Sequence, residues 1–253
     1  MTVDYSKALK YAVFCQEIYK NLSTIEFGGL TEKPVPINHD STDTQGAILP
    51  NGAESIIVFR GSDSSFDWKT NFNTRAERAE FDQQIIRKEI VAKKDKLYPY
   101  LQQSSSGSLM HRGFVKAYFS VRAQIHQYIS NHQLSHVTVT GHSLGGALAT
   151  LCAVDIQYNF SDKVSIDIYT FGAPKVGNKG FREAFNRRVP NSYRFVNGMD
   201  IVPELPRWWQ GYRHVDDQFR IGSRFSLKFL SARFKDHAIG NYIKALKIMA
   251  AKH

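Results

Sequence analysis

The chain has 253 residues, enough for one large domain with a sizeable core; its 42% apolar and 22% charged residues exclude a disordered, collagenous or repetitive polypeptide. No apolar run approaches the roughly 18 residues of a membrane-spanning helix, and the two cysteines are too few for a disulfide framework or a zinc site. The net charge of +10 is concentrated after Leu205, where ten Lys and Arg face three Asp; such a surface serves anionic lipid or plain solubility, and no nucleic-acid motif accompanies it.

The opening "MTVDYSKALKYAVFCQEIYK" is not a leader peptide. Its apolar stretch is short, Lys10 interrupts it, and no small-residue cleavage site follows. Ala8, Leu9, Ala12, Cys15 and Ile18-Tyr19 fall at helical spacing instead. The expectation is a cytosolic protein, or a mature form whose leader has been removed. A loop through Gly28-Gly29 and Pro34–Pro36 follows, then a hairpin, "GAILPNGAESIIVFRG", with Pro50-Asn51-Gly52 as its turn and Ile56–Phe59 as a buried strand. Residues 74–103 are mostly charged, with Ile86, Ile90, Leu97 and Leu101 on one helical stripe, and "SSSGS" at 104–108 forms a joint.

A long helix is predicted over Phe114–Asn131, strands over Val137–Thr140, Ile166–Phe171 and Tyr193–Val196, and a last helix over Ala238–Ala250. Strands alternating with helices predict an α/β domain across residues 1–253: a mainly parallel central sheet with helices on both faces. Cys15 and Cys152 both lie on apolar helix-like stretches and read as buried free thiols, or as one disulfide.

The stretch "VTVTGHSLGGALATL", Val137–Leu151, places one serine between a strand and a helix. A serine on so sharp a turn projects its hydroxyl at the carboxyl ends of the strands. The residues two before and two after it must approach closely, hence Gly141 and Gly145; Gly146 and Ala147 let the helix start against the sheet. Backbone N–H groups at the helix start point where a negative oxygen develops. A bare G-x-S-x-G is only a moderate signal. The flanking strand and helix make it the nucleophile elbow of an α/β-hydrolase.

A serine hydroxyl needs a base, and in this fold the chain order is Ser, Asp or Glu, His. Asp155 lies on the helix leaving the elbow and points elsewhere, while Asp162 and Asp167 flank the wrong end of a strand. Asp200 follows "SYRFV" in "NGMDIVPELP", at a strand's carboxyl end, and is favoured over Asp216, Asp217 and Asp236. Of the later histidines, His253 is terminal and His214 sits in the extended-looking "GYRHVDDQFRIG". His237, in "KDHAIGNYI", precedes the last helix and is favoured as the base. The oxyanion donors are then the N–H of Leu144 and, from the loop ending "IIVFRGS", the N–H of Ser62, with its hydroxyl as a further candidate.

These residues resemble the class 3, fungal-lipase-like family of α/β-hydrolases. "VFRGS" resembles its oxyanion strand and loop, "HRGF" the start of its long helix, and "VTGHSLGGALA" its serine motif. "TFGAPKVGN" resembles a structural signature, "FVNGMDIVPELP" its acid loop, and "DH" its histidine segment. The matches run in order over roughly residues 5–250. The resemblance implies a serine ester hydrolase acting on acylglycerols or related lipids, with Ser143, Asp200 and His237 as triad and no metal or cofactor. Phospholipase A1 or soluble-ester carboxylesterase activity stays open beside it, as does a non-catalytic lipid-binding module.

The chain departs from the family in the segment from Ser64 to Met110. In place of an apolar lid helix, seven basic side chains face five acidic ones between Arg75 and Lys96. Trp208 and Trp209, beside Arg207, read either as contacts to a lipid interface or anionic membrane, or as core or pocket wall.

Overall fold

A computed structural model of the protein describes residues 3–21, 24–25, 27–61, 108, 110–216, 218–222 and 235–252. Helix α1 (Tyr5–Glu17) begins at Asp4, whose carboxylate accepts the Lys7 N–H at 2.9 Å. Strands β1 (Val35–His39), β2 (Thr44–Asn51) and β3 (Glu54–Phe59) follow as an antiparallel set. Then come α2 (Arg112–Asn131), β4 (His136–His142), α3 (Leu144–Phe160), β5 (Ser165–Phe171), the short β6 (Gly177–Asn178), α4 (Lys179–Arg188) and β7 (Ser192–Asn197). Short β8 (Tyr212–Arg213), β9 (Gln218–Ile221) and α5 (Ile239–Ala250) complete the described strands and α-helices, and single 3-10 turns lie at Asp40–Thr42, Val202–Glu204 and Trp208–Gln210.

The central sheet has seven strands in the order β1-β2-β3-β4-β5-β7-β9 and is parallel from β3 to β9. Both of its faces are covered, because side chains alternate along each strand. Val137 and Val139 of β4, Ile57 and Phe59 of β3, and Ile166 and Ile168 of β5 pack with α2 and α3. Ile56 and Val58, with Tyr169 and Phe171, pack with α1 and α5 on the other face. There the β4 threonines find partners: Thr138 Oγ1 lies 3.2 Å from the Tyr11 hydroxyl, and Thr140 Oγ1 donates to the Tyr169 carbonyl at 2.8 Å. Cys15 lies on this face and Cys152 on the other; both are buried free thiols.

Two expectations need correction. The Pro34–Pro36 stretch is not only loop: Val35 starts β1, an edge strand that tolerates Pro36 because it is paired on one side alone. The hairpin turns at Gly52-Ala53, since Pro50 and Asn51 pair with Ser55 and Glu54. Gly52 supplies the positive φ, 63°, that the tight turn requires. Pro50 lies beyond the last β1 partner, Ile48, so its missing N–H leaves no gap in that ladder. The charged stripe at 74–103, the joint at 104–107 and Ser62 lie outside the described residues, as does the Ser64–Met110 insertion apart from Ser108 and Met110.

Asp155 on α3 ties this helix to α2. Its carboxylate accepts from the Tyr118 hydroxyl, Arg122 Nε at 2.9 Å, His126 Nε2 at 2.7 Å and Asn159 Nδ2 at 2.8 Å. Burial acts to raise this carboxyl, but the His126 and Arg122 hydrogen bonds and charges outweigh it and hold it below the usual carboxylate range. A lowered native value stabilises the fold above the unfolded-state value near pH 4, and that stability is lost as pH falls through the native value. Asp155→Ala removes the buried carboxylate shared by Tyr118, Arg122 and His126, so we expect a loss of about 3 kcal/mol and a fall in Tm of about 10 °C at neutral pH. The deficit should shrink in acid melts, and activity per folded molecule should be retained.

Candidate active site

Strand β4 ends at His142 and α3 begins at Leu144, so Ser143 alone makes the turn. Its φ of 60° and ψ of −129° lie where side-chain-bearing residues rarely sit, at a cost of about 1–3 kcal/mol. Neighbouring hydrogen bonds hold it there. The Ser143 N–H donates to the Phe171 carbonyl on β5 at 2.9 Å, and its own carbonyl accepts the Gly146 N–H at 2.9 Å. The close approach is real: a β-carbon on Gly141 would overlap the Gly145 carbonyl, and one on Gly145 the Phe59 carbonyl.

Asp200 enters from the loop after β7, through Gly198 with φ 50°. Its Oδ1 accepts the Val202 N–H at 2.9 Å, which orients the carboxylate. Oδ2 accepts from the Tyr242 hydroxyl on α5 at 2.5 Å and from His237 Nδ1 at 2.8 Å. His237 precedes α5. Its segment is fastened to the end of β7, because the Asp236 carbonyl accepts Asn197 Nδ2 at 3.0 Å and the Asp236 carboxylate accepts the Met199 N–H at 3.1 Å. On the other side of the ring, the Ser143 hydroxyl donates to His237 Nε2 at 2.7 Å. The Asp200 side chain is fully buried, and that of His237 is 12% exposed.

His142 supports this arrangement from beneath. Its Nε2–H donates to the His237 main-chain carbonyl at 2.7 Å, and its ring lies 4.6 Å from the His237 ring. Burial first, then the charge of His237, push its pKa well below the usual histidine value, so the ring is neutral. Because Nε2 carries the proton, Nδ1 is the acceptor facing the Tyr19 hydroxyl of the chain after α1, at 3.4 Å. Neither Tyr19 nor Tyr242 stands out in the sequence. At helical spacing each reads as core, and only the fold turns its hydroxyl onto the site.

Gly172 closes the floor. Its φ is 61°, and a β-carbon there would lie 2.8 Å from Asp200 Oδ2 and 3.0 Å from His237 Nδ1. Gly172→Ala should therefore wedge the Asp200–His237 hydrogen bond apart. We expect kcat for a soluble ester to fall about 10²-fold, as for a misplacement of about 1 Å, with KM little changed. An unchanged kcat would show that the pair tolerates this displacement.

The Leu144 N–H belongs to the first turn of α3, whose donors have no helical partner. Ser62 lies outside the described residues. Gly61 before it is close to the serine, for a β-carbon there would sit 3.2 Å from Ser143 Cβ. His214 stands elsewhere. Its Nε2–H donates to the Pro203 carbonyl, which also accepts Lys175 Nζ at 3.1 Å, and the Glu204 carbonyl accepts Lys175 Nζ as well. These two side chains brace the far end of the acid loop. Burial lowers the Lys175 ammonium to about 8, opposed by Glu204 and aided by Arg194, Arg207 and Arg213. Asp167 is also remote, accepting Lys7 Nζ at 2.9 Å and Asn191 Nδ2 at 3.0 Å. Trp208 and Trp209 are 64% and 65% exposed, which removes their reading as core.

Known proteins share this architecture. The chain is 34% identical to a secreted mono- and diacylglycerol lipase of Fusarium solani over 170 residues, 66% of this chain and 43% of that one. It is 34% identical to a chloroplastic phospholipase A(1) of Arabidopsis thaliana over 116 residues, 42% of this chain and 26% of that one. It thus spans less than half the length of the curated relatives it matches. A solved triacylglycerol lipase, whose catalytic centre is described as a serine protease triad, superposes with a TM-score of 0.61 at 27% identity, covering 85% of this chain and 79% of that one. The family model described as lipase (class 3) matches residues 56–209, more than half of the chain, and the chain belongs to that family.

Proposed function

We propose that the protein is a serine ester hydrolase of acylglycerols or related lipid esters, and that residues 1–253 form one such domain with an insertion at about 64–110. The observation that carries this reading is the unbroken hydrogen-bonded line from Ser143 Oγ through His237 to Asp200. In this reading Ser143 attacks the ester carbonyl while His237 Nε2 takes its proton. The oxyanion is held by the N–H groups of Leu144 and Ser62, and Asp200 orients the imidazole and stabilises its cation. His237 then gives the proton to the departing alcohol, leaving an acyl-serine. Water, deprotonated by the same imidazole, releases the fatty acid and restores the serine.

A fluorophosphonate tests the nucleophile directly. It should form a stable adduct that peptide mapping places on Ser143, and an adduct elsewhere, or none, would overturn the reading. The acylglycerol preference is supported by the Fusarium relative's name. The Arabidopsis relative and the basic chain after Leu205 favour a phospholipase A1 as the second reading. Rates over a panel of acylglycerols, soluble esters and one phospholipid separate the two from each other and from a carboxylesterase.

A lid that opens on oil needs a broad apolar face. In sequence, residues 75–101 offer only a narrow apolar stripe, Ala79, Ile86, Ile90, Leu97 and Leu101, in heavily charged surroundings. Short-chain esters should therefore be hydrolysed well below their solubility limit. A sharp jump in rate at that limit would refute a weak lid.

A further inference from the structure

We infer that the turn bearing Trp208 and Trp209, flanked by Arg207, Arg213 and Lys175, is a docking surface for an anionic phospholipid bilayer. The inference rests on the lipid-ester reading above and names the surface through which such a protein meets its substrate phase. Among the described residues only four large hydrophobic side chains are exposed, Val35, Trp208, Trp209 and Ile248, and the two indoles are adjacent and the most exposed of the four. They meet edge to face, with centroids 6.0 Å apart.

Their exposure is built in. The turn is closed by the Gln210 N–H to the Arg207 carbonyl and the Gly211 N–H to the Trp208 carbonyl, each at 3.0 Å. The Arg207 N–H donates to the Gln210 side chain at 2.7 Å, and Arg213 NH1 donates to the Trp208 carbonyl at 2.8 Å. A backbone so tied cannot fold the indoles inward. Two large apolar faces held in water are the mark of a surface with a partner.

The surrounding charge selects the partner. The Arg207 guanidinium stands 5.5 Å over the Trp209 ring. Arg213 reaches the turn through the Trp208 carbonyl, Lys175 feels the charges of Arg207 and Arg213, and among the described residues Glu204 opposes them through a half-exposed ion pair with Arg207 at 3.4 Å. Indole beside guanidinium matches the headgroup level of a bilayer, where the ring meets the acyl boundary and the cation meets phosphate or serine carboxylate. Among the described residues, three cations against one carboxylate favour an anionic leaflet over a zwitterionic one. The place is also apt. The turn follows the acid loop directly in the chain, with Trp208 eight residues after Asp200, and Lys175 ties down that loop through the Pro203 and Glu204 carbonyls.

Co-sedimentation of the full chain with vesicles of ether-linked phosphatidylcholine, with and without ether-linked phosphatidylserine, tests this without any ester to be cleaved. Binding should require phosphatidylserine and weaken as salt rises from 0.01 to 1 M, over which the screening length falls from about 30 to about 3 Å. The double variant Trp208→Ala, Trp209→Ala should bind at least about tenfold more weakly, and Arg207→Gln about fivefold more weakly with a shallower salt dependence. Both should hydrolyse a soluble short-chain ester as the unsubstituted protein does. Undiminished binding by the double variant, or binding indifferent to phosphatidylserine and salt, overturns the proposal. If the expected binding pattern appears while the unsubstituted protein hydrolyses no ester, the docking surface stands and the hydrolase reading fails.

Discussion

Ser143→Ala is expected to lower kcat for a soluble ester by about 10⁴-fold or more while leaving the thermal transition nearly unchanged. Alanine keeps the β-carbon and loses only the hydroxyl, so the left-handed turn carries the same strain and the same Phe171 and Gly146 hydrogen bonds. His237 loses a donor but remains fixed by Asp200 and, through its carbonyl, by His142. The fall should lie in kcat rather than KM, because the hydroxyl acts in the reaction rather than in holding the substrate. Substantial turnover by purified variant protein, free of wild-type carry-over, would remove Ser143 from the nucleophile's role.

His237→Ala is expected to cost about as much, and Asp200→Asn about 10³–10⁴-fold. The aspartate substitution is the more instructive. Asparagine fits the same space, and with its amide oxygen at the Oδ1 position it still accepts the Val202 N–H, while its NH2 group takes the Oδ2 position and donates to the Tyr242 hydroxyl. What it lacks is the charge that stabilises the imidazolium, and its NH2 group cannot accept the Nδ1 proton. The loss should therefore be catalytic with a small change in Tm. Ser143→Ala combined with His237→Ala should be little worse than either alone, since the pair acts as a unit. His214→Ala is the matching control: it removes a brace on Pro203 and should cost stability more than turnover. A dead His214→Ala beside an active His237→Ala would reverse the assignment of the base.

The elbow is legible in the sequence because its constraints are local. Steric closeness across one turn demands small residues at fixed offsets from Ser143, and alternation in "VTVT" and the apolar run after it mark the flanking elements. The class of the fold follows from the same alternation in β5 and β7. Asp200 and His237 are found by a different route, from chain order and from which end of a strand a loop leaves. Strand β1 escapes because its prolines suit an edge as well as a loop, and only pairing with β2 decides between them. Tyr242 escapes because helical spacing marks a residue as buried without saying that its hydroxyl meets a carboxylate. His142 is visible as an unusual residue within the motif. Its neutral state and its bond to the His237 carbonyl depend on a partner far along the chain, and no local pattern encodes that.

The placement of the two thiols has a consequence for how the molecule opens. Cys15 packs against Thr140 under one layer of helices, and burial pushes its pKa up to about 12. Cys152 belongs to the opposite layer, and burial likewise raises its pKa. With the sheet between them they cannot join while the fold is intact, and neither offers a reactive thiolate to solvent. Alkylation of either one waits for its own layer to lift from the sheet. The two modification rates are therefore separate clocks, one for each side of the molecule, and they tell whether the layers detach together or one before the other.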